Sequence, residues 1–97
     1  MKVQWAPLAI DRVAEIAAYI AEDKPIVAEK WIRGAFARVG QLAQFQKSGR
    51  HLPETQRQDI RELIWSDYRI IYRIETNQVS ILTVRHTRQI VPIEDLK

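Results

Sequence analysis

The sequence predicts an α+β fold in which one layer of two helices packs on one antiparallel sheet. Between Asp59 and His86 lie three short runs rich in β-branched and aromatic residues: Asp59–Trp65, Tyr68–Ile74 and Gln78–His86. They are separated by Ser66-Asp67 and by Glu75-Thr76-Asn77, polar breaks of the length that closes antiparallel hairpins. Upstream, two stretches repeat apolar residues at three- and four-residue spacing across a short joint, as an antiparallel helical hairpin does. Helices gathered on one side of a strand meander define the α+β class.

In chain order, Lys2–Trp5 alternates in polarity and reads as a first strand. Pro7 suits the first turn of a helix, where its missing N–H costs nothing. Ile10, Val13, Ala14, Ile16, Ala17 and Ile20 then form an apolar stripe, and the helix ends near Glu22-Asp23. Pro25 restarts the pattern, with Ala28, Trp31, Ile32, Ala35, Phe36, Val39 and Leu42 on one face. Trp31, Ile32 and Phe36 are the expected anchors of this second helix to the sheet. Gly34 and Gly40 weaken it locally, by roughly 1 kcal/mol each relative to alanine. Gln44–Gln58, with Ser48-Gly49 and Pro53, reads as a loop. In the central run Tyr68, Ile70, Tyr72 and Ile74 point to one side, and Arg69, Ile71 and Arg73 to the other. The first set covers a core; the second makes a basic face. Pro92 disfavours a further central strand, and residues 89–97 read as a mobile tail.

The chain has 97 residues, which form one domain (1–97) with a single core. The apolar fraction of 46% and charged fraction of 28% are those of a soluble globular protein. Without cysteine there are no disulfides or thiolate metal sites, and the two histidines form no metal-spaced pair. No apolar run is long enough to span a bilayer and no signal-peptide core is visible, so the cytoplasm is the expected location. Fifteen Lys plus Arg against twelve Asp plus Glu leave a formal charge of +3, which favours an acidic partner, peptide or nucleic acid. From Arg57 to Arg88 the cations are all arginine, the side chain suited to bidentate recognition of carboxylate or phosphate. No Gly-rich phosphate loop or nucleophile elbow is present.

Several segments together resemble the RelE/ParE superfamily of toxins from type II toxin–antitoxin modules. They are VQWAPLAIDRVAEIAAYI, SGRHLPE, IRELIWSDYRIIYRI and VSILTVRH, spanning Val3 to about Arg88. The most specific pieces are Gly49-Arg50 followed by Pro53-Glu54, then Arg61-Glu62-Leu63, then Tyr68-Arg69-Ile70-Ile71-Tyr72-Arg73. The resemblance implies a growth-inhibiting, cytoplasmic toxin held inactive by an antitoxin, without a cofactor. RelE-like members cut messenger RNA on the ribosome, whereas ParE-like members inhibit DNA gyrase.

RelE-type cleavage requires a base for the 2′-hydroxyl, stabilisation of the phosphorane and a proton for the leaving oxygen. Aligned on Tyr68-Arg69, this chain retains the family arginine as Arg69. Ile60 and Glu62 stand where RelE has lysines, and Thr87, beside Arg88, stands where it has a second arginine. No tyrosine follows Tyr72; Ile93 takes the place of the terminal one. The nuclease set available is therefore Arg69, His86 and Arg88. By alternation His86 shares a face with Ser80, Leu82 and Val84 and reads as a structural histidine at the sheet end, with acid–base catalysis as the rival role. Glu54 and Glu62 are both open between a catalytic and a structural role; Glu62 is a possible base or the ion-pair partner of an arginine across the sheet. The expectation is a ParE-like gyrase inhibitor rather than an enzyme, with the ribosome-dependent endoribonuclease as the alternative. Arg61, Arg69, Ile71, Arg73 and Arg85 are the candidates for binding antitoxin or target.

Overall fold

Pro7 and Pro25 each occupy the first helical position, opening α1 (Pro7–Ala21) and α2 (Pro25–Gly40) in the computed structural model, which describes residues 1–97. The remaining elements are β1 (Lys2–Trp5), β2 (Arg50–His51), β3 (Ile60–Trp65), β4 (Tyr68–Ile74) and β5 (Gln78–His86). Short 3₁₀ turns at Gln41–Ala43 and Ile93–Leu96 follow α2 and close the chain. The strands form one sheet in the order β1-β5-β4-β3-β2. β1 runs parallel to β5 at its edge, and every other pairing is antiparallel. The strand–helix–helix–meander order is thus the predicted one. The two-residue strand β2 was not predicted; it lies within the segment that reads as a loop. No helix is long and apolar enough to cross a membrane.

The helices cover one face of the sheet. Ala9 and Val13 of α1, and Trp31, Ala35 and Val39 of α2, bury against Leu63, Ile70, Tyr72, Val79, Ile81 and Val84, and Ala17 of α1 is buried as well. The small residues Ala9 and Ala17 let α1 settle close to β5, which turns its stripe away from the expected one: Ile10 is left 43% exposed. Of the three expected anchors of α2, Trp31 is buried and Ile32 half-buried, but Phe36 is 43% exposed. Phe36 sits at the flank of α2, its ring centroid 4.8 Å from that of Trp5 on the edge strand. At Gly34 a Cβ would fall inside the Trp65 indole, whose Nε1–H donates to the Trp31 carbonyl at 3.1 Å. Gly34 therefore serves close packing; nothing lies within 4 Å of a Cβ at Gly40.

The opposite face is not an open basic surface. Ile60, Ile71 and Leu82 of the sheet bury there with Leu52 from the loop and with Val91 and Leu96 from the C-terminal segment. Two expectations are corrected by this second cluster. The domain has two cores rather than one, and residues 89–97 are not a free tail. Leu96 fills the cluster, and the Asp95 carboxylate accepts from Thr83 Oγ1 at 3.1 Å and Arg85 Nε at 2.8 Å. Apolar side chains at alternate sheet positions need cover on either face, and the last residues supply it.

A β-bulge opposite Ile71/Tyr72 sets the register of β5. Ile71 pairs with Thr83 and Tyr72 with Ile81, leaving Leu82 as the extra residue. Beyond it the alternation changes parity. Val84 and His86 pair with Ile70 and Tyr68 on the helix side, while Leu82 joins the second core. The expectation that His86 shares a face with Leu82 fails for this reason.

Candidate functional site

The second face centres on Arg69, only 7% of whose side chain is exposed. β4 points it away from the helices, beside Ile71 and opposite Arg85 across the β4–β5 pair. Like charges directly opposite one another destabilise a sheet unless each is neutralised. Here Asp95 neutralises Arg85, and two carboxylates neutralise Arg69. Its Nε donates to Glu62 Oε1 at 2.6 Å. Its Nη1 and Nη2 donate to the two oxygens of Glu54, each at 2.7 Å, in a bidentate fork. Nη1 also donates to the Gln89 carbonyl at 2.9 Å. Four of the five N–H groups of the guanidinium are thereby committed.

The cluster ties four segments together. Glu54 comes from the loop between β2 and β3, Glu62 from β3, and Gln89 from the chain after β5. Glu54 Oε2 also accepts the Val91 N–H at 2.8 Å, so the pair pins the start of the C-terminal segment. The second oxygen of Glu62, a fully buried residue, accepts Arg50 Nε of β2 at 2.8 Å. The Arg69 hydrogen bonds pull the Glu54 carboxyl down from 4.5 to about 2, against the opposing effect of its burial and with help from the Val91 N–H. The same bonds from Glu54 raise Arg69 further above its already high value. The sequence signature Gly49-Arg50 also has its explanation here. A Cβ at Gly49 would meet the Glu62 carbonyl and lie 2.6 Å from the Tyr72 hydroxyl, which accepts the Gly49 N–H and donates to the Gln46 carbonyl.

Beside the cluster lies a cleft of about 400 Å³ lined by Arg50, Pro53, Glu54, Arg69, Thr87 and Arg88, among others. Arg50 is 66% exposed at its side chain, and Arg88 is exposed with no carboxylate partner. Of the nuclease set, Arg69 and Arg88 meet in this cleft and His86 does not. His86 lies on the helix side, its ring edge-on to Tyr68 with centroids 5.3 Å apart, and its Nδ1 accepts the Arg88 N–H at 3.1 Å. Glu62 takes the ion-pair role that its position across the sheet suggested, and Glu54 takes the same role.

The binding candidates separate in the same way. Ile71 is fully buried and Arg69 nearly so, so neither is offered to a partner by the chain as it stands. Arg73 pairs with Glu75, and Arg85 with Asp95. Arg61 donates to the Lys47 and Gly49 carbonyls. Sequence reasoning overlooked Arg50, which has a guanidinium end free at the cleft mouth, and Glu54 and Asp95 as the counter-charges. A signal for them was available: two arginines facing each other beside buried isoleucines require acidic partners from elsewhere in the chain.

A five-stranded, mostly antiparallel sheet with a helical hairpin on one face matches the fold of ParE and RelE toxin structures. The structure is similar to one from the chromosomal ParDE toxin–antitoxin system of P. aeruginosa, with a TM-score of 0.75 at 19% identity over 89% of this chain and 95% of that one. It is also similar to a chain of the RelBE2 toxin–antitoxin complex of Mycobacterium tuberculosis, with a TM-score of 0.56 at 21% identity over 88% of each chain. A protein of Sinorhizobium fredii named "Putative toxin Y4kP" is 37% identical over 90 residues, covering 91% of this chain and 90% of its own length. Residues 3–91 match the family model described as ParE toxin of the type II toxin–antitoxin system parDE, and the chain belongs to that family.

Proposed function

We propose that this toxin arrests growth in the cytoplasm by inhibiting DNA gyrase and is neutralised by a cognate antitoxin with an acidic segment. One observation carries the choice of target: the arginine that a RelE-type nuclease would turn on a phosphate is engaged by Glu54 and Glu62. An arginine cannot act as a base at neutral pH. The remaining acid–base candidate, His86, stands on the other face of the sheet from Arg69, so the two cannot converge on one phosphodiester. Both facts agree with Ile60 and Glu62 in place of lysines. The feature that favours messenger cleavage instead is the approach of Arg50, Arg69 and Arg88 to a single cleft.

The antitoxin part of the proposal rests on two exposed guanidinium groups at that cleft, Arg88, which has no carboxylate partner, and Arg50, bound only through Nε to Glu62, beside the exposed Ile90. They suit a segment that alternates carboxylates with apolar side chains. Arg50→Glu and Arg88→Glu should therefore weaken antitoxin binding while the chain stays folded. Arg69→Glu is not a clean test, since it would set a third carboxylate against two.

The target is tested with purified protein in two assays run side by side. Supercoiling by gyrase should be inhibited, and messenger in programmed ribosomes should stay intact. Codon-positioned cleavage that disappears in His86→Ala, with supercoiling untouched, would establish the nuclease alternative.

A further inference from the structure

The Glu54 carboxylate closes the Arg69 fork, one oxygen 2.7 Å from Nη1 and the other 2.7 Å from Nη2. Two oxygens so placed are what a phosphate or a foreign carboxylate would present to the same fork. The surroundings are those of an anion receptor. Arg50 and Arg88 line the same cleft, and three guanidinium groups face only two carboxylates, Glu54 and Glu62. Those carboxylates differ in kind. Glu62 belongs to the sheet and is fully buried, held between Arg50 and Arg69. Glu54 is borne on the loop after β2, retains 17% side-chain exposure and forms a wall of the cleft.

We propose that this cleft is an oxyanion receptor, able to take a phosphate monoester or inorganic phosphate, that the chain keeps closed with Glu54 as its own resident ligand. Glu54 thus acts as a self-competitor. It satisfies Arg69 and gives the cleft an intramolecular carboxylate whose effective concentration an ordinary phosphate concentration cannot match. The proposal is independent of the toxin's target, because it concerns only what the Arg69 fork can hold. Removing Glu54 would return one N–H from each of Nη1 and Nη2 to the cleft, while the bond from Nε to Glu62 keeps the guanidinium oriented. Arg50 and Arg88 would then supply the positive field for a doubly charged ligand.

The test is a titration of the whole chain with inorganic phosphate, followed by NMR at the Arg69 Nε–H and the Val91 amide and by calorimetry. The wild type should show no saturable change at Arg69. Glu54→Ala should bind phosphate at least about tenfold more tightly than the wild type, since one carboxylate competitor has gone. Glu54→Gln keeps the side-chain volume and an amide oxygen for Val91, and should fall between the two. Adding Arg69→Met to Glu54→Ala should abolish the gain. Saturable binding at Arg69 in the wild type would overturn the proposal. So would folded Glu54 variants that gain nothing, or a gain that survives the loss of Arg69. Failure of both single variants to fold would overturn it as well, because Glu54 would then be a structural pin rather than a displaceable occupant.

Discussion

The two faces of the sheet are closed by different physics. On the helix face, α1 and α2 lay apolar stripes over Leu63, Ile70, Tyr72 and Val84, and the Tyr72 hydroxyl there is bonded to Gly49 and Gln46. On the other face, only six apolar residues gather, and the cover comes from a loop and the last turn of the chain. Charge completes it: Glu54 and Glu62 hold Arg69, and Asp95 holds Arg85. Hydrophobic burial is non-directional and tolerates imprecise placement. A buried ion pair is stable only while every partner is present and well oriented. The second face should therefore be the more brittle one to single changes, and the more sensitive to pH.

The sharpest way to break this contrast is Arg69→Ala, which leaves Glu54 and Glu62 desolvated without their shared cation. Urea denaturation should show a loss of about 3–5 kcal/mol. A loss below about 1 kcal/mol would mean that the cluster is solvated and that the two faces do not differ in kind. Next comes Leu96→Ala, which removes a nearly buried side chain from the C-terminal cover. A cost of about 2–4 kcal/mol, with faster amide exchange at Val91, would show that the last turn is part of the fold. An unchanged midpoint would make it a passenger.

Acid sharpens the comparison further. The folded Glu54 pKa of about 2 lies below the ordinary 4.5, so its contribution is fully present above pH 4.5 and is lost as pH falls towards 2. Over that window the wild type should lose on the order of 1–3 kcal/mol more than Glu54→Gln, after allowance for the solvent-facing side of the carboxylate. Parallel pH curves for the two proteins would remove Glu54 from the linkage. The smallest effect belongs to the helix face. Phe36→Ala should cost about 1 kcal/mol, because nearly half of the ring is already in water and its packing partner is Trp5 at an edge. A cost near that of a fully buried phenylalanine would mean that the flank of α2 is core after all.

Most of the helix face was legible in the sequence. The proline at the head of each helix, the three- and four-residue spacing and the two hairpin breaks all act within a few residues of where they are written. The exceptions, Ile10, Ala14 and Phe36, lie at the margins of their stripes, where a small rotation of the helix decides between core and solvent. The second face was partly legible. Ile71 between Arg69 and Arg73 was an apolar residue on a supposedly polar side, and Ile60 and Leu82 had the same character. The covering residues, Leu52, Val91 and Leu96, lay in segments with no periodicity to read.

By itself, then, the sequence determined the two helices and the four longer strands, their order, the α+β class and the toxin family, because those depend on local pattern and on the order of short motifs. Tertiary structure alone decided three other things. It brought Glu54 to Arg69, a pairing of residues fifteen apart that no local rule specifies. It folded the chain end onto the sheet, since uncovered isoleucines on a sheet face need apolar cover from whatever segment can reach. And it placed one extra residue, Leu82, in β5. A strand alternates with period two, so that single insertion moved His86 to the opposite face from Arg69 and separated the two residues a nuclease would have needed together.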